Sequence, residues 1–250
     1  MSTKRIGIII PVRDEADALE ALLPELLRMA EGLRHQAVIP LLVVDDGSKD
    51  GSADVARKYG VESLSLPPRG KPQAVKAGFE EALRRGYDAV IVFDGDGQHP
   101  VGMLPKMIEY LAMRHIVKGS RFHELSYQDG TPLDRTILNA ATRGIIRQFT
   151  GWDITDPQCG LVGLRDDMIR RLLPLLTWGE EWEMEMILRL WAEDRSPHCP
   201  IWEFPIAAHY TGLPGHKQAE KYDDRHLEER LHRLDRQSRY LYRLLKEILG

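Results

Sequence analysis

Residues 88–100 read DAVIVFDGDGQHP. Ala89 to Phe93 is a short apolar run rich in valine and isoleucine, as expected of a strand buried on both faces of a parallel sheet. It breaks off into Asp94-Gly95-Asp96-Gly97, two carboxylates at i and i+2 with glycine between them. In an open α/β sheet, ligands collect beyond the carboxyl ends of the strands. Paired carboxylates there repel each other unless a cation lies between them, and hard oxygen donors beside a bound phosphate suit Mg²⁺ or Mn²⁺. From these residues alone a plainer reading stays open, because Asp and Gly also suit a turn.

Outward from this stretch the chain alternates between strand and helix patterns. RIGIIIPV (5–12) predicts a first buried strand, ended by Pro11, which cannot donate to a central ladder. Leu19, Leu22, Leu23, Leu26 and Leu27 predict a helix over 15–31. VIPLLVVDD predicts a strand over 38–46, followed by a short helix at 52–59 and a half-buried strand at 61–66. A helix over 71–85 carries small residues for close packing. Beyond the central strand come a helix at 102–113 and a strand in HIVKGS (115–120). Such alternation over about 120 residues argues for a parallel sheet with helices on both faces.

The second half differs. FHELSYQDGTPLD (122–134) is polar and turn-rich, and its length predicts a mobile functional loop. Helices are expected at 135–150, 165–176, 180–194 and 223–249, a returning loop in DITDPQCGL (153–161), and a strand at 202–208. The last helix is amphipathic. Leu227, Leu231, Leu234, Leu241, Leu245 and Ile248 share one face, with Arg233, Arg236, Arg239, Arg243 and Lys246 largely opposite. Two readings are open: a basic helix lying on an anionic membrane surface, or a leucine face packed on the core with solvated arginines.

Composition narrows the function. With 250 residues and a formal net charge of −4, the chain has no global field favouring nucleic acid. Two distant cysteines, Cys159 and Cys199, provide no disulfide framework or zinc pattern. The N-terminal apolar run is too short for a signal peptide, and no run of about 18 apolar residues predicts a membrane span. The expectation is a cytoplasmic protein, peripheral at most to the cytoplasmic membrane face. G-x-G-x-x-G and the nucleophile elbow are both absent. PPRGKPQAV (67–75) lacks the first glycine of a Walker loop, although Lys71 at a helix start can reach a phosphate. Three strand ends carry acid pairs: Asp14-Glu15, Asp45-Asp46 and Asp94/Asp96. In a parallel sheet these ends share one edge, and so much negative charge calls for a metal or for nucleotide N–H and hydroxyl donors.

The ordered set IIPVRDE, VVDDGSKDGS, GKPQAVKAGF, VFDGDGQHP, VKGSRF and DPQCGL resembles family 2 glycosyltransferases of the GT-A fold. EWEMEMILR and EFPIAAHYTGLPGHK further resemble the dolichyl- and polyprenyl-phosphate mannose or glucose synthases. The resemblance implies a Rossmann-like, mostly parallel α/β sheet with helices on both faces, forming a nucleotide-diphospho-sugar transferase domain over 1–222 with the basic helix 223–250 appended. It implies a donor pocket of Pro11, Glu15, Asp45, Asp46, Lys71, Asp94 and Asp96. Asp96, Asp94 and Gln98 would hold Mg²⁺ or Mn²⁺, and Arg121, Arg135 and Lys217 would meet acceptor phosphate. Asp94, Asp96, Arg121 and Glu185 would be catalytic. The implied reaction moves a sugar from a GDP- or UDP-linked donor to a polyprenyl phosphate. A phosphate acceptor needs no protein base, whereas a hydroxyl does, and Glu185 and Asp156 are the carboxylates available in these motifs. The chain departs from the synthases at Gln158-Cys159-Gly160, Thr211 and His216. A soluble or cell-envelope saccharide acceptor is therefore the alternative, ahead of a nucleotidyltransferase or a silent nucleotide-sugar-binding module.

Overall fold

The computed structural model describes residues 4–129, 131–209 and 227–249. The chain runs β1 (Lys4–Val12), α1 (Ala16–Gly32), β2 (Ala37–Val38), β3 (Leu41–Asp45), α2 (Ser52–Lys58), β4 (Glu62–Ser65), α3 (Lys71–Arg84) and β5 (Ala89–Val92). A 3₁₀ turn at Val101–Met103 leads into α4 (Leu104–Met113), then β6 (Ile116–Ser120), β7 (Gln128–Asp129), α5 (Leu133–Thr150) and β8 (Val162–Arg165). The described residues close with α6 (Asp166–Leu175), α7 (Trp182–Asp194), β9 (Ile201–Pro205), β10 (Ala208–His209) and α8 (Leu227–Leu249).

The main sheet has the order β4-β3-β1-β5-β8-β6-β9, with β2 paired to the start of β1. Strand alternation splits the core into two layers. Ile8 and Ile10 of β1, with Ile91 of β5, join Leu19, Leu23 and Leu26 of α1 and Leu104 of α4 on one face. Ile9 of β1 and Val92 of β5 join Phe79 of α3, Leu172 of α6, Trp182 of α7 and Leu244 of α8 on the other. A three-layer α/β architecture follows, as the alternation predicts.

Three elements differ from expectation. Pro11 does not end β1: the ladder runs through Pro11↔Val44 and Val12↔Asp45, and Val12 O accepts the Asp46 N–H at 2.9 Å. The single strand expected over 38–46 is broken, with Ile39 and Pro40 between β2 and β3. The third is β8, which sequence reading leaves as loop and helix. It inserts antiparallel between β5 and β6, with Val92↔Val162 and Lys118↔Val162 in register. VGLR is too short and glycine-broken to declare itself a strand; two neighbours supply its partners. The 122–134 segment contains β7, which pairs with β10 in a separate two-stranded ribbon.

The described part of the terminal helix packs inward. Tyr240, Leu241 and Leu244 are buried, and Leu245 and Ile248 pack against the same apolar cluster. Tyr240 Oη donates to Glu185 at 3.1 Å, and Arg189 reaches Glu247 at 2.7 Å. Arg236, Arg239, Arg243 and Lys246 stay exposed. From Tyr240 to Ile248 the apolar side of α8 is therefore used by the core, and Arg243 and Lys246 of that stretch face outward.

Candidate active site

The carboxyl ends of β3, β1 and β5 are adjacent in the sheet, so their acidic loops meet. Pro11, Glu15, Asp46, Lys71, Asp94 and Asp96 all line one cavity of about 450 Å³, within the size range of ligand sites. Gln98, Arg121 and Arg135 line it as well. Asp45 does not. Its Oδ1 accepts the Ser48 N–H at 2.9 Å, which secures the turn after β3. Asp46 points the other way and accepts the Arg69 and Gly70 N–H groups at 2.7 and 2.8 Å. Those two bonds bring the RGK loop, and with it Lys71, to the cavity.

Lys71 Nζ lies 2.8 Å from Asp94 Oδ1 and 3.5 Å from Glu183 Oε1. Burial opposes its charge, but Asp94 and Glu183 outweigh burial and raise its pKa well above the usual lysine value. Burial likewise opposes the charge of Asp94; Lys71 and His99 reverse this and hold its carboxyl far below the usual range. His99 Nε2 sits 3.2 Å from Asp94 Oδ2, its ring edge-on to Phe93. Gly160 makes room for this cluster, and Gly95 lets its loop pass close to Val12 and Glu15. A β-carbon on Gly95 would lie 2.4 Å from Val12 Cγ1, and one on Gly160 would lie 2.6 Å from both Asp94 Oδ2 and Lys71 Nζ.

Arg121 is oriented by Asp156. Its backbone N–H, Nε and Nη2 donate to the Asp156 carboxylate at 3.0, 2.7 and 2.9 Å. Asp156 is fully buried and also accepts nothing less than this two-pronged grip from the guanidinium; burial raises its pKa, and Arg121 overrides burial to lower it to about 2. Asp156 thus positions the arginine and does not line the cavity itself.

The structure separates the acids of EEWEMEM. Glu185, expected to be catalytic, is fully buried away from the cavity. Its Oε1 accepts the Thr177 N–H and hydroxyl, each at 2.8 Å, and its Oε2 accepts Tyr240 Oη. Glu181 and Glu183 line the cavity instead. Burial and the nearby Glu183 charge push Glu181 up to about 7, and Gln237 Nε2 of α8 donates to its Oε1. Burial also raises Glu183. Sequence reasoning missed His99, Glu181, Glu183 and Gln237. The run of alternate glutamates at a helix start was the available signal, but helical phase alone does not say which face the sheet covers. Lys217, with Thr211 and His216, lies outside the described residues.

Among the described residues no three His, Cys, Asp or Glu side chains form a self-contained metal cage. Asp94 and Asp96 present carboxylate oxygens on one loop facing the cavity, the hard donors that suit a divalent cation.

The fold and this edge of acids define a nucleotide-sugar transferase architecture, and comparison with known proteins agrees. Residues 7–173 match the family model Glycosyl transferase family 2, and the chain belongs to that family. It is 30% identical over 174 residues to the undecaprenyl-phosphate mannosyltransferase of Micrococcus luteus, covering 67% of this chain and 69% of that one. It is 31% identical over 173 residues to the dolichol-phosphate mannosyltransferase of Pyrococcus furiosus, covering 66% and 47%. The chain spans about half the length of several curated relatives it matches. The fold is also that of glucosyl-3-phosphoglycerate synthase of Mycobacterium tuberculosis, solved with Mn²⁺, UDP and glucosyl-3-phosphoglycerate, at a TM-score of 0.62 and 18% identity over 84% of this chain and 73% of that one. The expected GT-A fold is thereby established.

Proposed function

We propose that this chain transfers a sugar from a nucleotide-diphosphate donor to the phosphate of a polyprenyl phosphate at a membrane surface. The observation that carries the reading is the single cavity gathering Asp46, Lys71, Asp94, Asp96 and Arg121 from separate loops. The names of the M. luteus and P. furiosus relatives support the acceptor class.

In this reading Asp46 and Glu15 bind the nucleoside end of the donor, with Lys71 beside its diphosphate. Asp94 and Asp96 would hold Mg²⁺ or Mn²⁺, which when bound neutralises the charge developing on the leaving diphosphate. Arg121, fixed by Asp156, presents an oriented cation to a phosphate. A phosphate acceptor is already an anion and attacks the sugar carbon without a protein base. One observation favours a second acceptor, a saccharide hydroxyl. Glu181 has a pKa near neutrality in the cavity, as a general base for a hydroxyl requires.

The test is a panel of radiolabelled UDP- and GDP-linked sugars with undecaprenyl phosphate and Mn²⁺ or Mg²⁺. Label entering the organic phase is expected, and its loss with chelator or in Asp96→Ala supports the metal assignment. Label appearing only in water-soluble saccharide would establish the second acceptor, and no transfer from any donor would refute both.

A further inference from the structure

We infer that the rim of the cavity is the face that docks on an anionic bilayer, with the start of α5 and the preceding loop as its apolar part and α8 as its basic part. The inference rests on the polyprenyl-phosphate reading and names the surface that reading requires. No described helix is long and apolar enough to cross a membrane.

The apolar part is exposed where exposure is costly. Leu133 and Ile137, one turn apart on α5, are 71% and 57% exposed, and Leu125 and Tyr127 on the preceding loop are 73% and 63% exposed. Single exposed apolar residues are ordinary, but four large ones in one segment of 13 positions mark an interaction site. Their neighbours set their place: Phe122, Asp134 and Leu138 line the cavity. The patch therefore borders the site. Along α5 the same exposed side continues through Ala140, Ala141 and Gly144 without a charge.

The basic part borders the site from α8. Gln237 lines the cavity, while Arg236, Arg239 and Arg243 surround an adjoining hollow that shares Glu180 with it. Arg239 is paired with Asp235 at 2.8 Å. Arg236 and Arg243 are exposed and have no ion pair among the described residues. A chain of net charge −4 thus borders its cavity with positive charge from α8 and with an apolar patch from α5, which together complement anionic headgroups over an acyl layer.

The experiment uses the full chain with vesicles of phosphatidylglycerol and phosphatidylcholine, and compares wild type with Leu133→Ser/Ile137→Ser and with Arg236→Glu/Arg243→Glu. Cosedimentation is expected for wild type and should fall about tenfold or more in each double variant. High salt should weaken wild type, and leave the weakened binding of the arginine variant little changed. Thermal melts should be unaltered, since the replaced side chains are exposed. Transfer to a short, water-soluble prenyl phosphate should be unchanged in both variants. Wild type that ignores the vesicles, or variants that bind them equally, would overturn the inference. So would a wild-type dimer that Leu133→Ser/Ile137→Ser dissociates, since the face would then belong to a second copy. Absence of transfer to both the long and the short acceptor would instead refute the proposed reaction, whatever the vesicles show.

Discussion

At Gly160 a single missing β-carbon keeps the Lys71–Asp94 pair intact. An alanine there would press on both charged ends at 2.6 Å, and both belong to side chains that can move, so the damage should fall on the site and not on the fold. Gly160→Ala is expected to lower donor affinity about tenfold or more, because an ion-assisted hydrogen bond contributes roughly 1.5–3 kcal/mol. The melting temperature should change little. Titration of the nucleotide sugar into the variant, beside a thermal melt, checks both halves. Arg121 has a comparable dependence on Asp156, but there the carboxylate is buried. Breaking that pair would leave an uncompensated charge inside the protein, so the mutational cost would mix stability with function.

At the scale of elements, α8 shows where its apolar side goes, a point its sequence left open. A helix with leucines on one side and arginines on the other can lie on lipid or on protein. Here Tyr240, Leu241 and Leu244 fill the layer formed by α6 and α7. Leu244→Ala is expected to destabilise the whole protein by about 2–5 kcal/mol, the usual range for a buried leucine truncation. Chemical denaturation should show this as one cooperative transition shifted to lower denaturant. An unchanged midpoint would mean that α8 is an appendage. The same packing favours, as we read it, counting α8 as part of the catalytic domain, one of the two readings open for 223–250. The break between β2 and β3 and the insertion of β8 are also element-scale outcomes, set by neighbouring strands more than by local propensity.

Across the whole molecule, Glu181 links the cavity to the last helix through Gln237, and its pKa gives that link a pH dependence. Burial and the Glu183 charge hold its carboxyl at about 7 in the folded protein, against 4.5 for an ordinary glutamate. The folded state therefore holds this proton more tightly than the unfolded state does. The resulting stabilisation is fully present below about 4.5 and is lost as pH rises through about 7. Unfolding free energy should accordingly carry a component that falls between those values and then levels off. Glu181→Gln should remove that component and should gain relative to wild type at pH above about 7. Denaturation at a series of pH values tests it; identical slopes in the two proteins would count against the assignment. Glu183 and Lys71 also face this region, so the comparison with the variant isolates the Glu181 share.

The alternation of apolar runs with helical spacing was enough, without coordinates, to indicate an α/β sheet with three acidic strand ends on one edge. The reason is that strand periodicity and turn chemistry are local, and a parallel sheet necessarily aligns the carboxyl ends of its strands. Glu15, Asp46, Asp94 and Asp96 could be picked out for that reason, whereas Pro11 and the pocket role of Lys71 came from the resemblance to family 2 glycosyltransferases. The tertiary structure alone decided which side of each element faces the site. Glu183 and Glu185 are two residues apart on α7, which turns them about 200° from each other. One meets Lys71 in the cavity and the other is enclosed by Thr177 and Tyr240. Asp45 and Asp46 diverge in the same way where β3 ends. Which of two adjacent acids reaches a ligand depends on what packs against its element, and that is set by residues far away in the chain.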